Sequence, residues 1–292
     1  MAHSPVPVAH VEPYRVRFDE CGANGTLRTS TYLRYMQDAA SVHSSMAGYT
    51  REWYREHGIF WLVRHVQLRV ISPSRYGDVL AVSTEVVGFR RIWARRHSDV
   101  RDDGGRVVAE ADVDWVLTDA RGRPARIPEE ISRRFAARLR EGCRPGAVRL
   151  SSAPRDAHRR ERTVEPSELD PLGHLNNAAY VDHLEAGLAE AGFDFTTQLH
   201  RQVRMEYLVP AVAGDALLTE TWRDGDSWWW RLGGDDGRAF ARAVATGSPS
   251  VGAGGPEGQA ATRRGQRRRG DPRPGRATCR TGSRQPRAAT SG

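Results

Sequence analysis

The chain has 292 residues and a formal net charge of +8. That length suits one large domain or two of ordinary size. It holds no apolar run of about 18 residues, which argues against a membrane-spanning helix, and Met1 to His10 lack the basic-then-apolar order of a secretory signal. Three scattered cysteines, Cys21, Cys143 and Cys279, offer neither a disulfide framework nor metal-ligand spacing. A reducing, cytoplasmic setting without metal or redox cofactor is expected. From Gly247 onward ten arginines face two acids, Glu257 and Asp271, so the whole charge excess lies there. No lysine occurs, and codon bias explains the arginines more simply than nucleic-acid binding, which is not expected.

In chain order, the first expected helix follows Gly25 and starts near Ser30. Tyr32, Tyr35, Met36, Ala39, Ala40 and His43 recur in it at three- and four-residue spacing. Strand-like segments follow at Trp61 to Val70, Val79 to Val87, Ile92 to Val100 and Val107 to Thr118. Ser-Pro, Gly-Asp and Asp-Asp-Gly-Gly stand between them. Arg140 to Arg160 reads as a linker. A second helix starts near Asn177, with Tyr180, Leu184, Gly187, Leu188 and Ala191 on one face. Small residues there suit a helix pressed closely on a sheet. From Gly247 the chain lacks Leu, Ile, Phe, Tyr and Trp, so residues 247–292 are expected to be disordered.

A repeat organises these elements. GTLRTSTYLRYMQDA from Gly25 is echoed by GHLNNAAYVDHLEAG from Gly173, 148 residues on. VQLRVISPSRYGDVL from Val66 is echoed by VRMEYLVPAVAGDAL from Val203, 137 residues on. DDGGRVVAEA from Asp102 is echoed by DDGRAFARA from Asp235. The change of offset gives the first copy 11 extra residues after its helix. One helix and then an antiparallel meander, done twice, is an α+β architecture.

The stretches RFDECGANGTLRTSTYLRYMQDAASVH, GIFWLVRHVQLRVISPSRYGDVLAVST and VDWVLTDARGRPARIPEEI resemble the N-terminal half of the acyl-acyl-carrier-protein thioesterases. LDPLGHLNNAAYVDHLE resembles that family's Asp-x-Asn-x-His-x-Asn-Asn signature and is also similar to the Asp-Pro-x-Gly motifs of hydroxybenzoyl-CoA-type thioesterases. The resemblance covers about Tyr14 to Thr246. It implies a tandem hotdog: an N-terminal domain at 1–139, a linker at 140–160, a C-terminal domain at 161–246 and the tail. It also implies hydrolysis of an acyl thioester of acyl carrier protein or CoA, by a pseudo-dimeric monomer or a homodimer.

Thioester hydrolysis needs a base or nucleophile, a stabilised oxyanion and a place for the acyl chain. The resemblance puts the carboxylate at Asp170 and the functional histidine at His174. As a bare residue, without the resemblance, Asp170 reads as a turn or cap residue. Backbone N–H groups near Gly173 and the helix start could polarise the carbonyl. Asn176 and Asn177 either bind the pantetheine arm or cap the helix, and Tyr180, matched by Tyr32, reads as packing. Two positions depart from the family: Leu172 stands where it has Asn, and Pro210 where it has a further Glu, with Glu206 nearby. The first copy has Gly22 and Thr26 in place of Asp170 and His174 and reads as catalytically empty. Its Ile59, Phe60, Trp61, Leu62 and Val63 are either core or acyl pocket. Arg90, Arg91, Arg95 and Arg96 read as a solvated basic face or a dock for an acidic carrier. An enoyl-thioester hydratase and a non-catalytic acyl-binding module stand as alternatives.

Overall fold

Strands of the two copies join into a single ten-stranded antiparallel sheet in the computed structural model, which describes residues 8–135 and 146–248. The first copy supplies β1 (Ala9–Arg15), α1 (Thr29–Met46), α2 (Arg51–Glu56), β2 (Ile59–Val70), β3 (Val79–Arg90), β4 (Trp93–Arg101), β5 (Val107–Asp119) and α3 (Glu129–Arg134). The second supplies β6 (His158–Thr163), α4 (Asn177–Glu190), β7 (His200–Tyr207), β8 (Ala216–Asp224), β9 (Ser227–Gly233) and β10 (Ala239–Ser248). The order is β1-β3-β4-β5-β2-β7-β10-β9-β8-β6. Read outward from the central β2–β7 pair, the two halves have the same sequence of strands. This is the tandem hotdog architecture.

The repeat locates the symmetry axis. Val66 pairs with Met205 and Leu68 with Val203, so Gln67 lies opposite Arg204. Gln67 and Arg204 are 137 residues apart, the offset of the strand echoes. Each therefore faces its own equivalent, and the pseudo-two-fold passes between them. The helices repeat the relation at their own offset. Arg34 Nη2 lies 2.7 Å from Asp182 Oδ2, and those residues are 148 apart. The two positions have diverged to opposite charges, which a pairing of identical copies would forbid.

Local chemistry repeats with the strands. In each Gly-Asp pair the glycine is left-handed, Gly77 at φ 93° and Gly214 at φ 83°. The aspartate then accepts from a backbone amide three residues back, Arg75 N to Asp78 Oδ2 at 2.7 Å and Val212 N to Asp215 Oδ2 at 2.9 Å. Only glycine takes that φ without steric cost. The helical tyrosines match as well. Tyr32 Oη accepts from Ser74 N at 2.8 Å, and Tyr180 Oη accepts from Ala211 N at 3.2 Å. Both rings tie a helix to the loop before the following strand, the packing role expected for them.

The larger apolar core runs through both halves, from Val16 and Tyr32 to Trp230 and Ala245, and a smaller one gathers Ala47, Tyr49 and Ile131. Small residues let the helices approach it. A Cβ on Gly187 would lie 2.6 Å from Thr221 Oγ1 and 3.6 Å from the Trp230 ring. Gly187→Val is expected to cost about 1–3 kcal/mol by overpacking. An unchanged urea midpoint would show that α4 has slack there.

The first copy's extra residues form α2 and its flanking turns. The expected linker differs from the structure at its end, because residues 158–160 already belong to β6. Extended backbone paired with β8 explains this, His158 lying opposite Thr221. The described part of the linker is also anchored to the sheet. Gly146 N donates to Asp114 Oδ2 at 3.2 Å, and Val148 N to Glu206 Oε2 at 2.9 Å. β10 runs to Ser248, two residues into the stretch read as tail. Residues 249–292, and Arg140 to Pro145 of the linker, lie outside the described residues. No helix among the described residues is long and apolar enough to cross a membrane.

Candidate active site

The Asp170 turn is built by its own side chain. Gly173 N donates to Asp170 O at 2.9 Å, and Asp170 N to His174 O at 2.8 Å. Asp170 Oδ1 accepts from Leu172 N at 2.8 Å and His174 N at 3.2 Å. Gly173 closes the turn at φ 79°. Isolated bridges, Leu169 to Leu175 and His174 to Val212, lock it to its own base and to the β7–β8 loop. One carboxylate oxygen thus holds the loop, and Oδ2 carries no hydrogen bond among the described residues. Asp170 and His174 are both half-buried.

The equivalent turn in the first copy has the same backbone and different chemistry. Gly22 N donates to Thr26 O at 2.9 Å and Gly25 N to Gly22 O at 2.9 Å, with Gly25 at φ 74°. Here Asn24 Oδ1 replaces the aspartate, accepting from Thr26 N at 3.0 Å. No carboxylate projects from this turn. The hollow beside it, about 540 Å³, is lined by charged residues including Arg17, Glu20, Arg34 and Asp182.

Asp170 and His174 instead border a cavity of about 980 Å³ whose walls come from both copies. The second copy gives the rim: Asp170, Leu172, His174, Asn177, Tyr180 and Pro210. The first gives the body: Phe60, Trp61, Leu62 and Val63 of β2, Phe89 of β3, Trp93 of β4 and Trp115 of β5. The β2 run read as either core or pocket therefore lines the cavity, except Ile59. Tyr49 and Tyr54 on and before α2, with Ile131 and Phe135 at α3, close the first-copy side. The insertion thus adds Tyr49, Arg51, Tyr54 and Arg55 to the wall of this chamber.

Asp170 is the one carboxylate on the described lining. Leu172 and Pro210, the two departures from the family pattern, both sit on the wall as apolar groups. Glu206 is engaged elsewhere: buried, it accepts from Arg242 Nε at 3.0 Å and Nη2 at 2.9 Å and from Val148 N. Burial pushes the Tyr180 hydroxyl up to about 12, helped by the neighbouring Asp170 carboxylate and opposed by the Ala211 amide. It stays protonated at neutral pH.

Asn176 and Asn177 part company. Asn176 Oδ1 accepts from Ala178 N at 2.9 Å and caps α4. Asn177 lines the cavity, and its carbonyl accepts from Tyr207 Oη at 2.8 Å. Its backbone N–H, at the head of α4, has no acceptor among the described residues. Gly173 N is committed to the turn, so Asn177 N is the amide left for an oxyanion. Asn176→Ala is expected to cost about 1 kcal/mol of stability through the lost cap. Thermal melts and rates measured together separate this from a binding role, which would raise KM.

The basic cluster expected as one face does not form one. Arg90 and Arg91 are exposed at the β3–β4 turn. Arg95 grips Asp114 through two bonds of 2.6 and 2.8 Å. Arg96 is 8% exposed and lines the cavity. Alternation along β4 explains it: Ala94, Arg96, Ser98 and Val100 share the buried face. Two further polar lining residues, Arg51 and Gln37, went unread in the sequence. Arg51 Nη2 donates to Pro171 O at 2.9 Å, tying α2 to the Asp170 turn. Gln37 stands at the α1 position equivalent to Glu185, and the 148-residue offset would have pointed to it. Arg96 was legible from the period of two.

Residues 7–135 match the family model described as the acyl-ACP thioesterase N-terminal domain. Among curated relatives, a chloroplastic acyl-acyl-carrier-protein hydrolase of Cuphea viscosissima is 26% identical over 187 residues, 58% of this chain and 44% of that protein. A chloroplastic palmitoyl-acyl carrier protein thioesterase of Arabidopsis thaliana is 27% identical over 184 residues, with the same coverage. The aligned stretch thus spans less than half the length of these relatives. The 12:0-ACP thioesterase from Umbellularia californica superposes with a TM-score of 0.72 at 19% identity, covering 84% of this chain and 98% of that one. An acyl-ACP thioesterase from Bacteroides thetaiotaomicron gives 0.68 at 16%, covering 82% and 97%. These structures share the fold over the whole described body.

Proposed function

We propose that this chain hydrolyses acyl thioesters, with acyl carrier protein as the preferred carrier and CoA as the alternative. The observation that carries the reading is the placement of Asp170 and His174, from one copy, at the rim of an apolar chamber built by the other. The acyl chain would lie along Trp61, Leu62, Val63 and Trp115, excluded from water. The thioester carbonyl would then sit at the turn.

Asp170 Oδ2 is the group left to work, because Oδ1 is held by two amides. It acts as general base on water or attacks the carbonyl carbon directly, and the geometry serves both. His174, four residues on in the same turn, orients the thioester or donates a hydrogen bond. The Asn177 N–H, aided by the α4 dipole, receives the developing oxyanion. The pantetheine arm leaves along the rim, past Asn177. Arg51 and Arg55 line the same cavity, as an acidic carrier requires. The family resemblance and the fold shared with acyl-ACP thioesterases support the same chemistry. A hydratase that worked through a pair of carboxylates would find only one on the described lining.

The test is thiol release by the purified chain from acyl-carrier-protein and CoA thioesters of graded length. Release from both carriers, faster from the protein-bound series, is expected. Tight binding of acyl-ACP without thiol release would favour the acyl-binding reading. Water addition to an enoyl thioester would favour the hydratase.

A further inference from the structure

The chamber is not apolar throughout. Arg96 Nη1 donates to His43 Nδ1 at 3.1 Å and Nη2 to Ser44 Oγ at 3.0 Å. Its guanidinium lies 5.7 Å from the Phe135 ring centroid. A guanidinium cannot accept, so His43 Nδ1 does, and the imidazole facing Arg96 is neutral. Among the described residues no carboxylate pairs with Arg96. Burial draws its pKa down to about 10, which leaves it charged at neutral pH. Two further lining groups, Gln37 Oε1 and Trp115 Nε1, are buried with no hydrogen-bond partner among the described residues. Burying a cation among neutral groups is costly, and buried polar atoms left unsatisfied are rare enough to need a reason.

Their position matters. Arg96 lies on β4, which β5 and β2 separate from β7. Three strand spacings amount to roughly 14 Å. The Asp170 turn is tied to the loop after β7 by the His174–Val212 bridge. Arg96 is therefore displaced across the sheet by three strand positions from the side that carries the Asp170 turn, the direction in which an acyl tail leaving the turn would extend. A methyl-ended tail there would shield the cation from water and give it no counterion.

We propose that the inner end of the chamber receives a carboxylate at the far end of the acyl chain, so that the preferred substrates are half-thioesters of dicarboxylic acids. Arg96 supplies the charge, and Ser44 holds its guanidinium in place. Trp115 Nε1 is a further donor for the same group. The inference rests on the thioester reading for the position of the reacting end.

The experiment compares kcat/KM for octanoyl and 7-carboxyheptanoyl thioesters on one carrier, using wild type, Arg96→Met and Arg96→Lys. A charge-assisted hydrogen bond corresponds to a preference on the order of 10-fold to 100-fold for the carboxyl-ended chain in wild type. Arg96→Met should reverse the preference and Arg96→Lys should keep part of it. The wild-type ratio stands even if the methionine variant fails to fold. Equal or slower hydrolysis of the carboxyl-ended chain, or a preference untouched by Arg96→Met, overturns the inference. A parallel titration follows quenching of the lining tryptophans by octanamide and by the monoamide of octanedioic acid. Tighter binding of the acid without hydrolysis of any thioester would sink the catalytic reading and leave this one standing. Hydrolysis without either preference would do the reverse.

Discussion

Asp170→Asn should abolish most thioester hydrolysis while leaving the fold intact. The substitution is unusually clean here. The side-chain carbonyl of asparagine can keep both bonds that shape the turn, to Leu172 N and His174 N. What is lost is the charge and the free oxygen. Removing a general base typically costs on the order of 10² to 10⁴ in rate. Thiol release measured beside a thermal melt should show a large fall in kcat and a melting temperature within a degree or two. His174→Ala should cost less if the ring only orients the thioester. Gly22→Asp should not create a second site, because the neighbouring hollow is charged and lacks an apolar chamber. Near-normal hydrolysis by Asp170→Asn would move the chemistry to another group and strengthen the acyl-binding reading.

Trp230→Ala should be the most damaging of the core truncations. Trp230 is fully buried on β9, under α4 at the Gly187 contact. Its Nε1 has no hydrogen-bond partner among the described residues, so the ring contributes there through packing. Large aromatic-to-alanine changes in cores cost about 3–5 kcal/mol. Trp230→Phe should recover most of that loss, since no hydrogen bond goes with the indole. Urea unfolding of the three proteins checks both statements. A phenylalanine variant as weak as the alanine one would mean that the indole N–H has a partner after all.

The repeat made the architecture legible before any coordinates. Its two offsets, 148 for the helices and 137 for the strands, carry the axis at Gln67 and Arg204 and the pairing of Arg34 with Asp182. Helix starts fell within a residue, because Gly-x-Leu turns and caps are local signals. Asp170 was marked by the resemblance alone, since its local chemistry is that of a turn residue. What the sequence concealed was set by contacts between copies. Whether Phe60 to Val63 were core or cavity depended on how α2 folds back, and nothing local to β2 decides that. The linker ended early in the structure because β6 is a charged edge strand, HRRERT, without the alternation that marks strands elsewhere. The arginine cluster was misread as one face because a run of like charges hides the alternation of the strand beneath it.

The β2–β7 seam has one more consequence. Two free subunits meeting along such a seam would separate on dilution, and their site, shared across it, would vanish with them. Here both partners belong to one chain, so their encounter is a unimolecular event whose effective concentration is fixed by the linker. Activity per molecule should then be the same at the trace levels of an assay and in a crowded cell. The tether also frees each copy from having to be its own mate. A substitution in one half no longer appears twice, and a hollow can deepen on one side of the axis while its twin fills with charge.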